Sequence, residues 1–377
     1  MSRILTILLA LCSLPARPAE IQLSYNLAPP EAQAAIAHAA GIWEGILVSP
    51  VPIKVLVNWV PMGNTALGVT FPNGRRDFPG APVPNTWYAT ALANAIAATE
   101  LNPGENDIDV FLNSQTDWYF GTDGATPAGQ QDLVSVALHE LGHGLGFVGL
   151  AKKTGTAGSF GLLELSDFAP LFTTFPWPAL DTLPGIFDRF LIHPQDGALD
   201  LMENPGDALG EAMTSNQLRW SGPYALEASG GAPVRIYAPA TFALGSSCVH
   251  LNESSYPTGN ANELMTPFSS AGHASHWPGP LCLGILKDIG WTLMPDVSIA
   301  EVNERTQLRR VAPNPCTDEL RLYPGPPVGR GIRVLDIQGR ERMNSAWLGT
   351  LDVHQLPAGT YLIAVEGMPV PTRFIKL

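Results

Sequence analysis

The stretch HELGHGLGF, residues 139–147, decides how the rest of this chain is read. His139 and His143 lie four apart, so on a helix they share one face and can hold one metal ion. Glu140 sits beside the first histidine, where it can reach a water at the metal without being a ligand. Neutral imidazoles for zinc and a carboxylate for the water's proton are the groups a zinc hydrolase needs. Just upstream, Leu133, Val134, Val136 and Ala137, continued by Leu141 and Leu145, give this helix a broad apolar side, as burial requires. Gly146 ends it, since glycine permits the left-handed turn that stops a helix.

Upstream of this helix the pattern alternates between strands and helices. Helical spacing of Ile36, Ala39, Trp43, Ile46 and Leu47 predicts a helix over Pro30 to Leu47, and Pro30 suits its first turn. The β-branched run Val51–Val60 reads as a strand. Residues 61–85, rich in Gly, Pro and Asn, read as a loop. Thr86–Leu101 reads as a second helix, Asp107–Asn113 as a second strand, and Trp118–Phe120 as a short edge strand. Thr126-Pro127 offers a start for the metal helix. This order predicts an α+β domain with the metal helix packed under the sheet.

Downstream, residues 150–245 form a long Gly- and Pro-rich segment with no repeat. Ile186–Leu191 reads as a strand returning to the core. Segments this long inside a domain are often functional, and this one is expected to wall the cleft. Leu281, Ile285, Leu286 and Ile289 fit a closing helix that Gly290 ends.

A helix with two histidines needs a third ligand. His250, in SSCVHLNE, is one candidate. Glu164 lies 21 residues after His143, about where thermolysin-like zinc proteases take a glutamate, but Leu163 precedes it where those have asparagine. Asp167, His193, His273 and His276 are further candidates. His273 and His276 read as solvated loop histidines near the cleft.

His139 to Gly146 matches H-E-x-x-H-x-x-G, and from here the sequence resembles the metzincin zinc proteases. In most of them a third histidine follows that glycine by three residues; here that position is Gly149. His250, followed 15 residues later by Met265 in NELMTPF, is similar to the leishmanolysin-type branch, in which a long insertion precedes the third histidine. The resemblance covers roughly residues 30–293 and rests on these motifs. It implies a metzincin-like fold, with the active-site helix under a twisted sheet. It also implies one catalytic Zn2+ on His139, His143 and His250, Glu140 as general base, and Met265 in a turn beneath the metal, packing but not ligating. The activity it implies is that of a zinc metalloendopeptidase on protein or peptide substrates. No tyrosine stands where some metzincins steady the oxyanion; Pro267 is there. A surface binding or adhesion protein with a structural or vestigial zinc site remains the alternative, as does a zinc hydrolase of non-peptide substrates.

At 377 residues the chain suggests two or three domains. Its 37 glycines and 35 prolines make it loop-rich, yet 45% hydrophobic residues are ample for a core. A net charge of −13 argues against a nucleic-acid or anionic-membrane surface. Residues 1–19 read as a secretory signal: Arg3, the apolar run Ile4–Leu14, then small residues for cleavage near Ala16 or Ala19. That run is too short to span a bilayer, and no transmembrane span is expected in the mature chain. Export permits disulfides. Of Cys248, Cys282 and Cys316, the first two make the plausible pair with Cys316 left over; three buried thiols are the other reading.

The metalloprotease domain is thus expected over 20–294, with a linker over 295–310. The tail, 311–377, shows short strands at Leu320–Tyr323, Ile332–Ile337, Tyr361–Val365 and Arg373–Leu377. Turn signals fall at Gln338-Gly339 and Pro357–Gly359, and the spacing predicts a small β-sandwich. APNP at 312–315, VLDIQG at 334–339, LPAGTY at 356–361 and the basic end at Lys376 resemble the C-terminal sorting domain of type IX secretion. That resemblance implies passage through the periplasm, recognition by the type IX machinery, and a secreted or cell-surface protein.

Overall fold

The six residues IDVFLN, Ile108–Asn113, bury five side chains, which only a strand covered on both faces allows. In a computed structural model, residues 17–63, 66–168, 181–294, 310–323, 326, 328–336, 340–366 and 372–377 are described. The chain divides into two units, Met1–Val297 and Ser298–Leu377. Residues 1–16 of the expected signal segment and 295–309 of the expected linker lie outside the described residues. Ala19 is buried, and its N–H donates to the Leu47 carbonyl at 2.8 Å.

The first unit begins with β1 (Ile21–Asn26), α1 (Pro30–Glu44), β2 (Ile53–Val60), β3 (Gly68–Pro72), β4 (Gly74–Arg76), β5 (Trp87–Ala89), α2 (Thr90–Ala97) and β6 (Ile108–Asn113). The larger sheet runs β1-β2-β6-β3. Its first three strands are parallel, and β3 is an antiparallel edge strand, with Thr70 opposite Val110. Strand β2 alternates inward Ile53, Val55 and Val57, the period-2 pattern of a pleated strand.

Several boundaries differ from the sequence reading. The region 61–85 is not all loop: it holds β3 and β4. The β-branched and aromatic core of Gly68-Val-Thr-Phe outweighs its Gly/Pro/Asn surroundings. Helix α2 is short because Trp87–Ala89 is strand, and because Ala98 takes φ 52°, a left-handed stop. Helix α1 ends at Glu44 because Leu47 leaves it to bridge with Leu293.

Next come β7 (Trp118–Tyr119), β8 (Gln131–Asp132) and α3 (Leu133–Gly144). Helix α3 starts after Asp132, not at Thr126-Pro127, because Asp132 Oδ1 accepts from the Ser135 N–H at 2.7 Å as an N-cap. Eleven of its twelve residues are buried. It packs against β3, β6 and α1, and Trp43 Nε1 of α1 donates to its Leu138 carbonyl at 3.0 Å. A Cβ on Gly144 would stand 2.5 Å from Ile108 Cγ2, so glycine lets the helix meet the sheet closely.

Residues 150–245 are folded throughout their described parts. They form the hairpin β9 (Ala151–Thr154) and β10 (Ala157–Phe160), then the small sheet β12-β11-β13-β14. Its strands are β11 (Leu191–His193), β12 (Gly197–Ala198), β13 (Arg219–Trp220) and β14 (Val234–Arg235). Helices α4 (Asp207–Ala212) and α5 (Pro223–Ala228) complete the segment. The strand expected over Ile186–Leu191 is a 3-10 turn at Asp188–Phe190 leading into β11. Helix α6 (Gly279–Ile289) closes the unit. Its Asp288 ties the segment down, accepting from Trp220 Nε1 at 2.8 Å and from the Tyr224 N–H at 2.8 Å. No helix among the described residues is long and apolar enough to cross a membrane.

The second unit has β15 (Arg310–Ala312), β16 (Glu319–Tyr323), β17 (Gly331–Asp336), β18 (Glu341–Ala346), β19 (Leu351–Asp352), β20 (Gly359–Val365) and β21 (Thr372–Lys376). They form two antiparallel sheets, β15-β16-β19 and β18-β17-β20-β21. Leu320, Ile332, Val334, Trp347, Ile363 and Phe374 belong to one core. The Gln338-Gly339 turn lies outside the described residues.

Candidate metal centre

Helix α3 places His139 and His143 one turn apart, and each ring is fixed by a backbone carbonyl. Gly146, at φ 111°, turns the chain so that the Phe147 carbonyl lies 2.6 Å from His143 Nδ1. The Leu264 carbonyl lies 2.6 Å from His139 Nδ1, and the Ser246 carbonyl 2.8 Å from His250 Nδ1. A carbonyl can only accept, so each Nδ1 carries the proton and each Nε2 presents a lone pair.

Those three lone pairs converge. Nε2 of His143 lies 3.0 Å from that of His139 and 3.1 Å from that of His250, and the third side is 3.3 Å. With every ring proton spent on a carbonyl, no hydrogen bond can join the three nitrogens. A cation can. Tetrahedral zinc with bonds of about 2.0–2.1 Å sets its nitrogen ligands about 3.3 Å apart. Among the described residues this is the one group with metal-ligand spacing. Burial lowers the pKa of all three histidines: His250 to about 3, with His139 adding repulsion, and His143 well below the usual range. All three are therefore neutral, as metal ligands must be.

Met265 lies beneath the histidines. It is fully buried, and its Sδ would stand 2.9 Å from a Cβ on Gly142, the residue before His143 on the helix. Its carbonyl accepts from the Leu251 N–H at 2.8 Å, next to His250. The turn Leu264-Met265 thus supports His139 through one carbonyl and His250 through the next.

Glu140 projects from α3 towards β3. Its Oε2 accepts from Thr70 Oγ1 at 2.7 Å. Burial raises its pKa to about 7, opposed by the Thr70 bond. Glu140, the three histidines and β3 line one cleft of about 920 Å3, whose walls include Phe168, Leu244 and Phe268. Residues of the long segment therefore do line it.

The other candidate ligands lie apart from the histidine cluster. Glu164 is exposed, and Asp167 pairs with Lys152 at 2.8 Å. His193 sits on β11 beside Asp196, 2.5 Å away. His273 and His276 are not free loop histidines: Nε2 of the first is 2.8 Å from Glu263, and that of the second 2.7 Å from Asp132. Gly149 offers no ligand, and a side chain there would collide with Asp188 Oδ1. The expected Cys248–Cys282 disulfide is not made; both cysteines are free and buried. Cys248 Sγ turns to the Met213 carbonyl at 3.8 Å, while Cys282 is enclosed in α6. Cys316, the cysteine left over in the expected pairing, is a free thiol too.

Sequence pattern alone does not single out Thr70, because the composition of residues 61–85 reads as loop. Its own signal is the short β-branched run Val69-Thr70 before Phe71.

A family model described as SPBPB7E8-like matches residues 94–154. That stretch carries β6 and all of α3, with His139, Glu140 and His143, but neither His250 nor Met265. No curated protein and no solved structure matches the chain.

Proposed function

We propose that this chain is an exported zinc endopeptidase of the metzincin kind. The observation that carries the reading is the triangle of unprotonated Nε2 atoms on His139, His143 and His250 next to the Glu140 carboxylate, in one cleft. A structural zinc site has no need of such a base. A zinc ion held there supplies Lewis acidity for water and for a substrate carbonyl. Glu140 takes the proton of the attacking water and hands it to the leaving amine. Edge strand β3 lines the same cleft and presents its outer row of backbone groups. A peptide, unlike most other substrates, can bind there as an added strand.

Under this proposal the signal over 1–19 and a sorting role for residues 311–377 carry the protein through the periplasm and out by type IX secretion. The two-sheet tail, with a core of its own, supports that division of labour.

The test is cleavage of an unfolded protein such as reduced, carboxymethylated lactalbumin by the full chain. Cleavage that a chelator abolishes and zinc restores is the expected result. A folded, zinc-loaded protein that cuts nothing would turn the reading towards a binding protein or a hydrolase of other bonds.

A further inference from the structure

We infer that Thr70 and Gly68, both on β3, are positioning residues that set where the Glu140 carboxylate sits. The inference rests on the reading of Glu140 as the general base.

Two constraints act on the two oxygens of one carboxylate. Thr70 Oγ1 donates to Oε2 at 2.7 Å, and both residues are buried. A Cβ at Gly68 would lie 2.7 Å from Oε1, 2.9 Å from Cγ and 3.0 Å from Cδ. The backbone of Gly68 is not left-handed, so space and not conformation calls for glycine there. Thr70 has one proton to give and spends it on Oε2. Oε1 makes no hydrogen bond to a described residue, which leaves it as the acceptor for a reacting proton.

Gly68 and Thr70 are two apart on one strand, so they present to the same face of the sheet. Both contacts fail together if β3 slips by one residue, because that slip turns the other face to Glu140. The strand offered to a peptide backbone is therefore also the strand that aims the base. Substrate pairing along β3 holds that aim.

The experiment compares zinc-loaded full-length Thr70→Val, Thr70→Ser, Gly68→Ala and Glu140→Gln with the parent protein. Thr70→Val keeps the shape and removes the donor. A misplaced catalytic group of this kind costs about 100-fold in rate. The expected result is that Thr70→Val and Gly68→Ala each lower kcat about 10- to 100-fold, with KM within about twofold and one zinc per chain. Thr70→Ser, which keeps the hydroxyl, stays within about threefold of the parent. A second readout is the Kd of acetohydroxamate, whose hydroxyl meets the base; it weakens in Thr70→Val and Gly68→Ala and not in Thr70→Ser.

Parent-like kcat and acetohydroxamate affinity in Thr70→Val would overturn the inference. So would a Thr70→Ser variant as impaired as Thr70→Val, which would mark a packing role. If Thr70→Val does not fold, Gly68→Ala against Thr70→Ser decides. Glu140→Gln separates the two claims. Full turnover in that variant removes the base reading itself, whereas an inactive Glu140→Gln beside an unimpaired Thr70→Val removes only the role of β3.

Discussion

His276 Nε2 lies 2.7 Å from Asp132 Oδ1, so a histidine 144 residues downstream clamps the residue that caps the metal helix. Asp132 is fully buried and does several things at once. It caps α3 through the Ser135 N–H, accepts from Ser135 Oγ at 2.7 Å, and accepts from Thr126 Oγ1 at 2.8 Å. The Ser275 N–H in turn donates to Ser135 Oγ at 2.7 Å. The segment after the methionine turn is thereby stitched to the start of α3.

Asp132→Ala should destabilise the fold by about 2–4 kcal/mol, combining a lost cap with buried donors left unpaired. The cost should depend on pH. Burial by itself would raise this carboxyl's pKa, but the bonds from His276 and Ser135 outweigh it and hold the pKa below the usual carboxylate value. A depressed folded pKa contributes stability above the unfolded pKa of about 4, and that stability is lost as pH falls through the folded value. The gap between parent and Asp132→Asn in urea midpoint should therefore be full at pH 6 and shrink below pH 4. A gap that does not change with pH would contradict this assignment.

Asp188 predicts the opposite sign. Its Oδ2 accepts from the Leu150 and Gly185 N–H groups at 2.9 and 2.8 Å, while Oδ1 is buried without a partner. Burial pushes its pKa up to about 7. The protonated form is the one the fold favours. Its contribution is complete below about pH 4 and is lost as pH rises through about 7. Asp188→Asn should remove that loss, making the variant relatively more stable at pH 8 than at pH 4 by a few kcal/mol. Parallel stability curves for the two proteins would rule out a protonated Asp188.

The close approach of α3 to the sheet can be tested by adding one methyl group. Gly144→Ala drives a Cβ into Ile108, which is fully buried, and overpacking of this kind costs about 1–3 kcal/mol. Ile108→Val should restore part of the loss in the Gly144→Ala background while destabilising the parent, a coupling visible in a double-mutant cycle. Additive effects would mean that the two residues do not press on each other.

How much of this was legible depended on sequence separation. The i, i+4 histidines, the apolar side of α3 and the stop at Gly146 are local, and local spacing is what periodicity reads. His250 stands 107 residues from His143 and carried no local signal; only the resemblance to a known arrangement pointed to it. Thr70, His276 and Asp188 act across 70, 144 and 38 residues. Thr70 and His276 sit in stretches whose composition reads as loop, and Asp188 in one that reads as a strand. A hydroxyl that meets a carboxylate from another element leaves no periodic trace. Of the two cysteine readings, the three buried thiols are the one the structure shows: parity and export context say that two thiols can bond, but only packing says where each sulfur points.

Zinc occupancy should follow the triangle and ignore its rivals. His250→Ala should lower zinc content well below one per chain after exchange against a weak chelator, because two imidazoles hold zinc far less tightly than three. Glu164→Ala should bind zinc as the parent does. Loss of zinc in Glu164→Ala with full zinc in His250→Ala would move the third ligand to Glu164.

The most direct measurement on the central claim is made on Glu140→Ala, reading zinc per chain and cleavage rate on one preparation. The expected result is one zinc per chain, a melting temperature no lower than the parent's, and turnover reduced by at least about 100-fold. Turnover equal to the parent's in that zinc-loaded variant would contradict it.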